Sequence, residues 1–172
     1  MHAFSGSDYV SSFFRKGKVL FWKKIRSCPA HLNIFSELGN FDYADLESFV
    51  CGLYGYPKYN SVDKVRSTIF ISKFETENQT IDICNLPPCW KNLYLHIKRS
   101  NYVSSIYKNA HLMKMELERP VEYGWDAQGS CIWYEEPYPN DMAELLLKES
   151  TDDEEIIQYD DNDDDLEDYF EQ

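Results

Sequence analysis

Apolar positions in this chain recur mostly at intervals of three and four, the spacing that places them on one face of a helix. Leu46, Phe49, Val50 and Leu53 form one such stripe. Asp42 ahead of them suits a helix cap and Gly55 and Pro57 behind them suit a stop, so a helix is expected from Asp42 to about Tyr54. Leu93, Ile97, Tyr102, Val103, Ile106 and Tyr107 form a second stripe. Leu86-Pro87-Pro88 is its entry signal, since proline is tolerated in a first turn, and this longest helix is expected from Pro88 to about Asn109.

Shorter helices are expected over residues 8–15 with Ser7 or Asp8 as cap, over Val19 to Arg26, over 30–38 closed by Gly39, and over Pro139 to Lys148. Val19, Leu20, Trp22 and Ile25 are the buried positions expected in the second of these. The segment from Val62 to Phe74 is open between helix and strand, because Thr68, Ile69 and Ile71 are β-branched. Residues 111–138 are less regular, with room for a small hairpin between Glu122 and Tyr134 around the turn at Asp126 to Gly129. The expected fold class is therefore mainly α: a multi-helix domain over residues 1–148 with at most a small β-hairpin.

Charge separates the remainder of the chain from this domain. Residues 149–172 hold 13 of the 30 acids and none of the 17 bases, which leaves residues 1–148 with 17 of each. So dense a like charge with so few apolar groups predicts a disordered acidic tail. Within the body the first thirty residues are basic, with Arg15, Lys16, Lys18, Lys23, Lys24 and Arg26 against Asp8 alone. Five cysteines without a Cys-x-x-Cys pair, no leader-like apolar region after Met1 and no membrane-length apolar run point to an intracellular protein, nuclear or cytoplasmic, with no membrane partner.

The first eighteen residues carry the most specific pattern. Gly6-Ser7-Asp8 leads into the aromatic run at Phe13 and Phe14 and then into the basic turn Arg15-Lys16-Gly17-Lys18. A glycine between two helices lets backbone N–H groups approach a phosphate, and flanking bases supply charge. Gly17 with Arg15, Lys16, Lys18, Lys23, Lys24 and Arg26 is accordingly the candidate site for DNA or RNA, contacted independently of sequence. The bland alternative is a solvated basic connection between helices. Asp8 is a weak catalytic candidate, better read as a helix cap, because metal-dependent nucleases need several carboxylates around their ions.

That order of motifs resembles the point at which a PIN-like, flap-nuclease-like core passes into its phosphate-gripping helical hairpin. With Val65-Arg66-Ser67-Thr68-Ile69-Phe70, Leu86-Pro87-Pro88, the helix from His96 to Tyr107 and Tyr123-Gly124-Trp125, the chain is similar over most of residues 2–148 to a repetitive, mobile-element-associated family of uncharacterised arthropod and cnidarian genes. Members usually have cysteine where this chain has Ser7, and usually carry a tesmin-like cysteine-rich segment expected to bind zinc and DNA, which does not follow Leu147-Lys148 here. The resemblance also implies an upstream half that is missing before Met1. It thus implies a non-catalytic remnant without a cofactor, retaining weak nucleic-acid affinity through its N-terminal hairpin.

Other constellations are weaker. Cys28 and His31 have the spacing of half a metal site, but Cys84 and Cys89 do not complete a recognised set of four, so free thiols and a surface imidazole are expected. His96, Lys98 and Arg99 beside Tyr102 and Tyr107 could follow a nucleic-acid strand, or form the wet edge of a packed helix. Trp22, Trp90, Trp125 and Trp133 read as core. Ser150 and Thr151 before four acids resemble phosphorylation sites for an acid-directed kinase. Leu166, Tyr169 and Phe170 among acids give the alternative reading, a module that captures a basic protein through its tail and an aromatic surface.

Overall fold

The computed structural model describes residues 1–36, 42–77 and 83–134 of the chain. Helices α1 (Lys18–Arg26), α2 (Pro29–Ile34), α3 (Tyr43–Leu53), α4 (Val62–Glu77) and α5 (Trp90–Asn109) follow in order, with single 3-10 turns at Ile83–Asn85 and Pro120–Tyr123. Among the described residues the only β pairing is two isolated antiparallel bridges, Ser7 with Val10 and Trp125 with Cys131. The mainly α expectation holds, and the hairpin is reduced to the second bridge around a turn in which Asp126 accepts from the N–H groups of Gln128 and Ser130. The expected helix from Pro139, the acidic tail, Ser150 and Thr151 lie outside the described residues, as does Gly39.

Helix α3 shows how local sequence sets an element. The Asp42 carboxylate accepts from the N–H groups of Ala44 and Asp45 at 2.9 and 3.0 Å, satisfying two of the first-turn donors. Leu46, Phe49, Val50 and Leu53 are all buried. Gly55 at φ 93° ends the helix, with Tyr56 N–H bonded to Cys51 O at 3.0 Å and Gly55 N–H to Gly52 O at 3.3 Å, the paired bonds of a Schellman motif.

The open segment is helix α4, β-branched residues included. Val62, Val65 and Ile69 bury one side of it, and Glu47 on α3 accepts from Val62 N–H at 2.9 Å at its start. Tertiary contact overrides strand propensity here. Asp63 repeats the device on the next helix, accepting from Trp90 N–H at 2.8 Å. Burial raises the Glu47 carboxyl above its ordinary range, the bond to Val62 opposes this, and Asp63 adds to the rise.

The main core gathers around Phe4, which is fully buried and lies against Phe13, Phe21, Phe35 and Phe49 at ring separations of 5.6, 6.0, 5.8 and 6.5 Å. A smaller cluster of Ala3, Val10, Val103 and Trp125 joins the N-terminal segment to the far end of α5.

Several expectations are corrected. Residues 8–15 form no helix: Ser7 and Val10 exchange backbone bonds at 2.9 and 3.3 Å, so Ser7 and Asp8 cap nothing. The serine-rich run favours loop bonding, and Gly6 sits at φ 113° where an added Cβ would come 2.8 Å from Ser12 Cβ. Phe21 rather than Trp22 or Val19 points inward on α1, leaving Trp22 50% and Val19 58% exposed. Of the tryptophans expected in the core only Trp125 is buried; Trp90 is half-buried and Trp133 is exposed. His96 and Arg99 are interior, not a wet edge.

Asp42→Ala is expected to cost about 1 kcal/mol by removing the α3 cap. Chemical denaturation measures it. Amide exchange at Ala44 and Asp45 should quicken in this variant, and Tyr43→Ala on the same turn should not reproduce that change.

Candidate nucleic-acid interface

The loop from Ser5 to Lys18 encloses an open cavity of about 650 Å³. Four serines (Ser5, Ser7, Ser11, Ser12), Arg15, Lys16, Gly17 and Lys18 line it, together with Asp8. Its shape comes from two tight reversals. One is the Ser7–Val10 bridge, which leaves Asp8 and Tyr9 exposed at the tip. The other is the turn closed by Lys16 N–H to Phe13 O at 3.1 Å, where Arg15 takes a left-handed φ of 54°. That conformation is uncommon for a long side chain. Phe13, buried just before it, holds the turn in place.

Gly17 caps α1 in extended conformation, φ −71° and ψ 168°, with no side-chain cap and no acid in the first turn. A Cβ at Gly17 would meet nothing within 4 Å, so glycine is not sterically required there. What it leaves is a helix start whose N–H groups and partial positive charge face the cavity region uncovered by a side chain. Three cations against the one carboxylate of Asp8, with serine hydroxyls between, make an environment for an oxyanion.

The structure brings together Arg15, Lys16, Gly17 and Lys18 and separates them from Lys23, Lys24 and Arg26. The latter occupy the last turn of α1, with Arg26 about 12 Å along the axis from Lys18 at 1.5 Å per residue. Their charge there complements the helix C-terminus. The Lys24 stem leans on α3, with its Cε 3.1 Å from where a Gly52 Cβ would stand. Lys16 Nζ lies 5.1 Å from the Tyr54 ring centre. Lys18, Trp22 and Arg26, at successive intervals of four, form an exposed stripe running from the cavity along α1, and the Arg26 guanidinium sits 6.0 Å from the Trp22 ring centre. Phe14, 47% exposed, carries the Arg15 guanidinium at 5.2 Å.

His96 fixes the loop to the scaffold. Its Nε2 lies 2.8 Å from the Phe4 carbonyl oxygen, which can only accept, so Nε2 carries the proton and Nδ1 accepts from the Ser11 hydroxyl at 3.3 Å. Burial pushes its pKa down to about 4, the bond to Phe4 opposes the shift and the Arg99 charge adds to it. The loop serines were not among the sequence candidates for this site, and His96 was considered only as a strand contact or wet-edge residue, not as the buried anchor it is. The serine density of residues 5–12, and a histidine on the apolar face of α5, were the available signals.

The remaining candidates hold structural positions. Among the described residues no group of three or more His, Cys, Asp or Glu could hold a metal ion. His31 bonds the Lys24 carbonyl at 2.8 Å and meets Phe49 edge-on, away from any metal set. None of the five cysteines is in a disulfide, and burial pushes the Cys51 thiol up to about 12, which removes its nucleophilicity. No described helix is long and apolar enough to cross a membrane. No protein family, curated protein or solved structure matches the chain.

A histidine depressed from 6.5 to about 4 binds a proton less well folded than unfolded. Its neutral form supports stability fully above pH 6.5, and that support is lost as pH falls from 6.5 through 4. Relative to His96→Gln, which can still donate to Phe4 O, the native protein should lose about 3 kcal/mol over this window. Urea unfolding of both proteins from neutral pH down through this window measures the difference, and parallel pH profiles would contradict it.

Proposed function

We propose that this protein is a non-catalytic, sequence-independent nucleic-acid binder, a remnant of a PIN-like, mobile-element-associated protein that keeps its phosphate-gripping loop. The observation that carries the reading is the exposure of Trp22 between Lys18 and Arg26, in line with the serine- and base-lined cavity at the start of α1. A base–aromatic alternation on an open helix face suits a single strand, with bases stacking on the rings and phosphates meeting the cations. Tyr9 and Phe14 extend the aromatic surface beside the same loop. Five cysteines without a disulfide fit a reducing intracellular compartment, nuclear or cytoplasmic. Asp8 has no carboxylate cluster with it among the described residues, so cleavage is assigned no residue.

Binding should be weak and steeply salt-dependent. Arg15, Lys16 and Lys18 changed together to Ala should weaken binding equally on all sequences. The same change should lower the salt slope by about 2 to 3, since each phosphate no longer neutralised removes about 0.7–0.9. Fluorescence anisotropy of labelled oligonucleotides across about 50 to 300 mM salt reads this. An unchanged slope would remove the loop as the phosphate site.

Trp22→Ala separates stacking from charge. It should weaken single-strand binding by about 1–3 kcal/mol and leave duplex binding nearly unchanged. With magnesium or manganese, flap, nicked and single-stranded substrates should stay intact. Cutting that Asp8→Ala abolishes would overturn the non-catalytic reading.

A further inference from the structure

Arg99 projects from α5 into the lobe formed by residues 124–133 and is completely buried. Nη1 donates to the carbonyl oxygens of Gly124 and Ile132, both at 3.1 Å. Nε and Nη2 are buried and meet no hydrogen-bond partner among the described residues. These two are not scattered donors. In a guanidinium the Nε–H and the Nη2–H on the same edge point in parallel and match the two oxygens of one carboxylate. Arg99 therefore spends its other nitrogen on the scaffold and leaves one complete bidentate fork open. The Trp133 ring, 54% exposed, lies over the guanidinium at 4.8 Å. Gly124, at φ 93° with room for a Cβ only 3.2 Å from Nη1, lets the turn approach this closely.

A buried cation with no anion beside it is costly, and it persists in proteins when a charge partner completes it. In the same lobe, Asp126 caps its own turn, and just before it Glu122 pairs with Arg119 at 2.9 Å. A fork closed to bulk solvent favours a partner supplied at high effective concentration by the same chain. After Tyr134 the chain carries 13 acids and no base in residues 149–172, while residues 1–148 are charge-balanced. The described chain at Tyr134 already bonds Asn92, both ways at 2.8 and 3.0 Å. That is about 10 Å along α5 from Arg99.

We propose that the Nε/Nη2 edge of Arg99 is a docking site for one carboxylate of the chain's own acidic run, residues 149–172, with Trp133 as its cover. The acidic run is then tethered at a defined point, on the lobe that shares the Ala3–Val10–Trp125 cluster with the basic loop.

The test is a double-mutant cycle in the full chain: Arg99→Met, the thirteen acids of 149–172 changed to Asn and Gln, and the two together. Arg99→Met should lower the melting temperature by about 5 °C or more in the native chain and by clearly less in the acid-neutral chain, where only the bonds to Gly124 and Ile132 are lost. Equal effects in both backgrounds overturn the proposal. So does the same coupling with Glu135→Gln and Glu136→Gln in place of the run. A direct readout needs no Arg99 variant: the Arg99 Nε–H resonance, assigned by through-bond correlation to the Arg99 backbone, should shift on neutralising the run. An unmoved resonance overturns the proposal, as does a shift produced instead by mixing the acid-neutral chain with an acidic protein.

Discussion

The hydrogen bond from His96 Nε2–H to the Phe4 carbonyl, across 92 positions of sequence, is the constraint on which the rest of the fold depends. The first seventeen residues contain no helix to hold themselves in place. They are held because the imidazole grips Phe4 from one side while the rings of Phe13, Phe21, Phe35 and Phe49 enclose it from the others. The second bond of the same imidazole, from Ser11, fixes the opposite arm of the loop. A loop that carries function needs a scaffold to position it, and here one buried ring connects the two.

How far the fold was legible depended on whether its determinants were local. Helix α3 carries cap, apolar stripe and stop within fifteen consecutive residues, and its bounds were readable almost to the residue. The segment at Val62 was ambiguous because what decides it is Glu47, on another helix. Residues 8–15 depart from the expected helix because Ser7 and Asp8, read as its cap, belong to a bridge, and the burial of Val10 and Phe13 is set in part by Trp125 and His96, distant in sequence. On α1 the stripe was misplaced by one position: Trp22 is the larger apolar residue, but Phe21 is the one that meets Phe4 and Phe49.

The candidate site shows the same division. Arg15, Lys16, Gly17 and Lys18 were readable because charge and glycine are visible in sequence, and they do line one cavity. Lys23, Lys24 and Arg26 belonged to the same basic run but not to the same place, since nine residues of helix carry them to its other end. The serines were not readable as a lining, because the bridge at Ser7 and Val10 that folds them inward has no short-range signature. Nor was the burial of Arg99, whose acceptors are carbonyls on a turn twenty-five and thirty-three residues later.

Three of the helices begin against a carboxylate: α3 against its own Asp42, α4 against Glu47 and α5 against Asp63. Helix α1 begins at Gly17 with none. The backbone there already has the extended conformation that an aspartate cap adopts, and a side chain would meet no obstacle. Gly17→Asp would thus strengthen the helix by about 0.5 kcal/mol while placing a permanent anion over the only helix start that faces the basic loop among those described. At this one position robustness and recognition are rival demands on the same atom, and a sequence drifting toward stability alone would silence the loop without disturbing the fold.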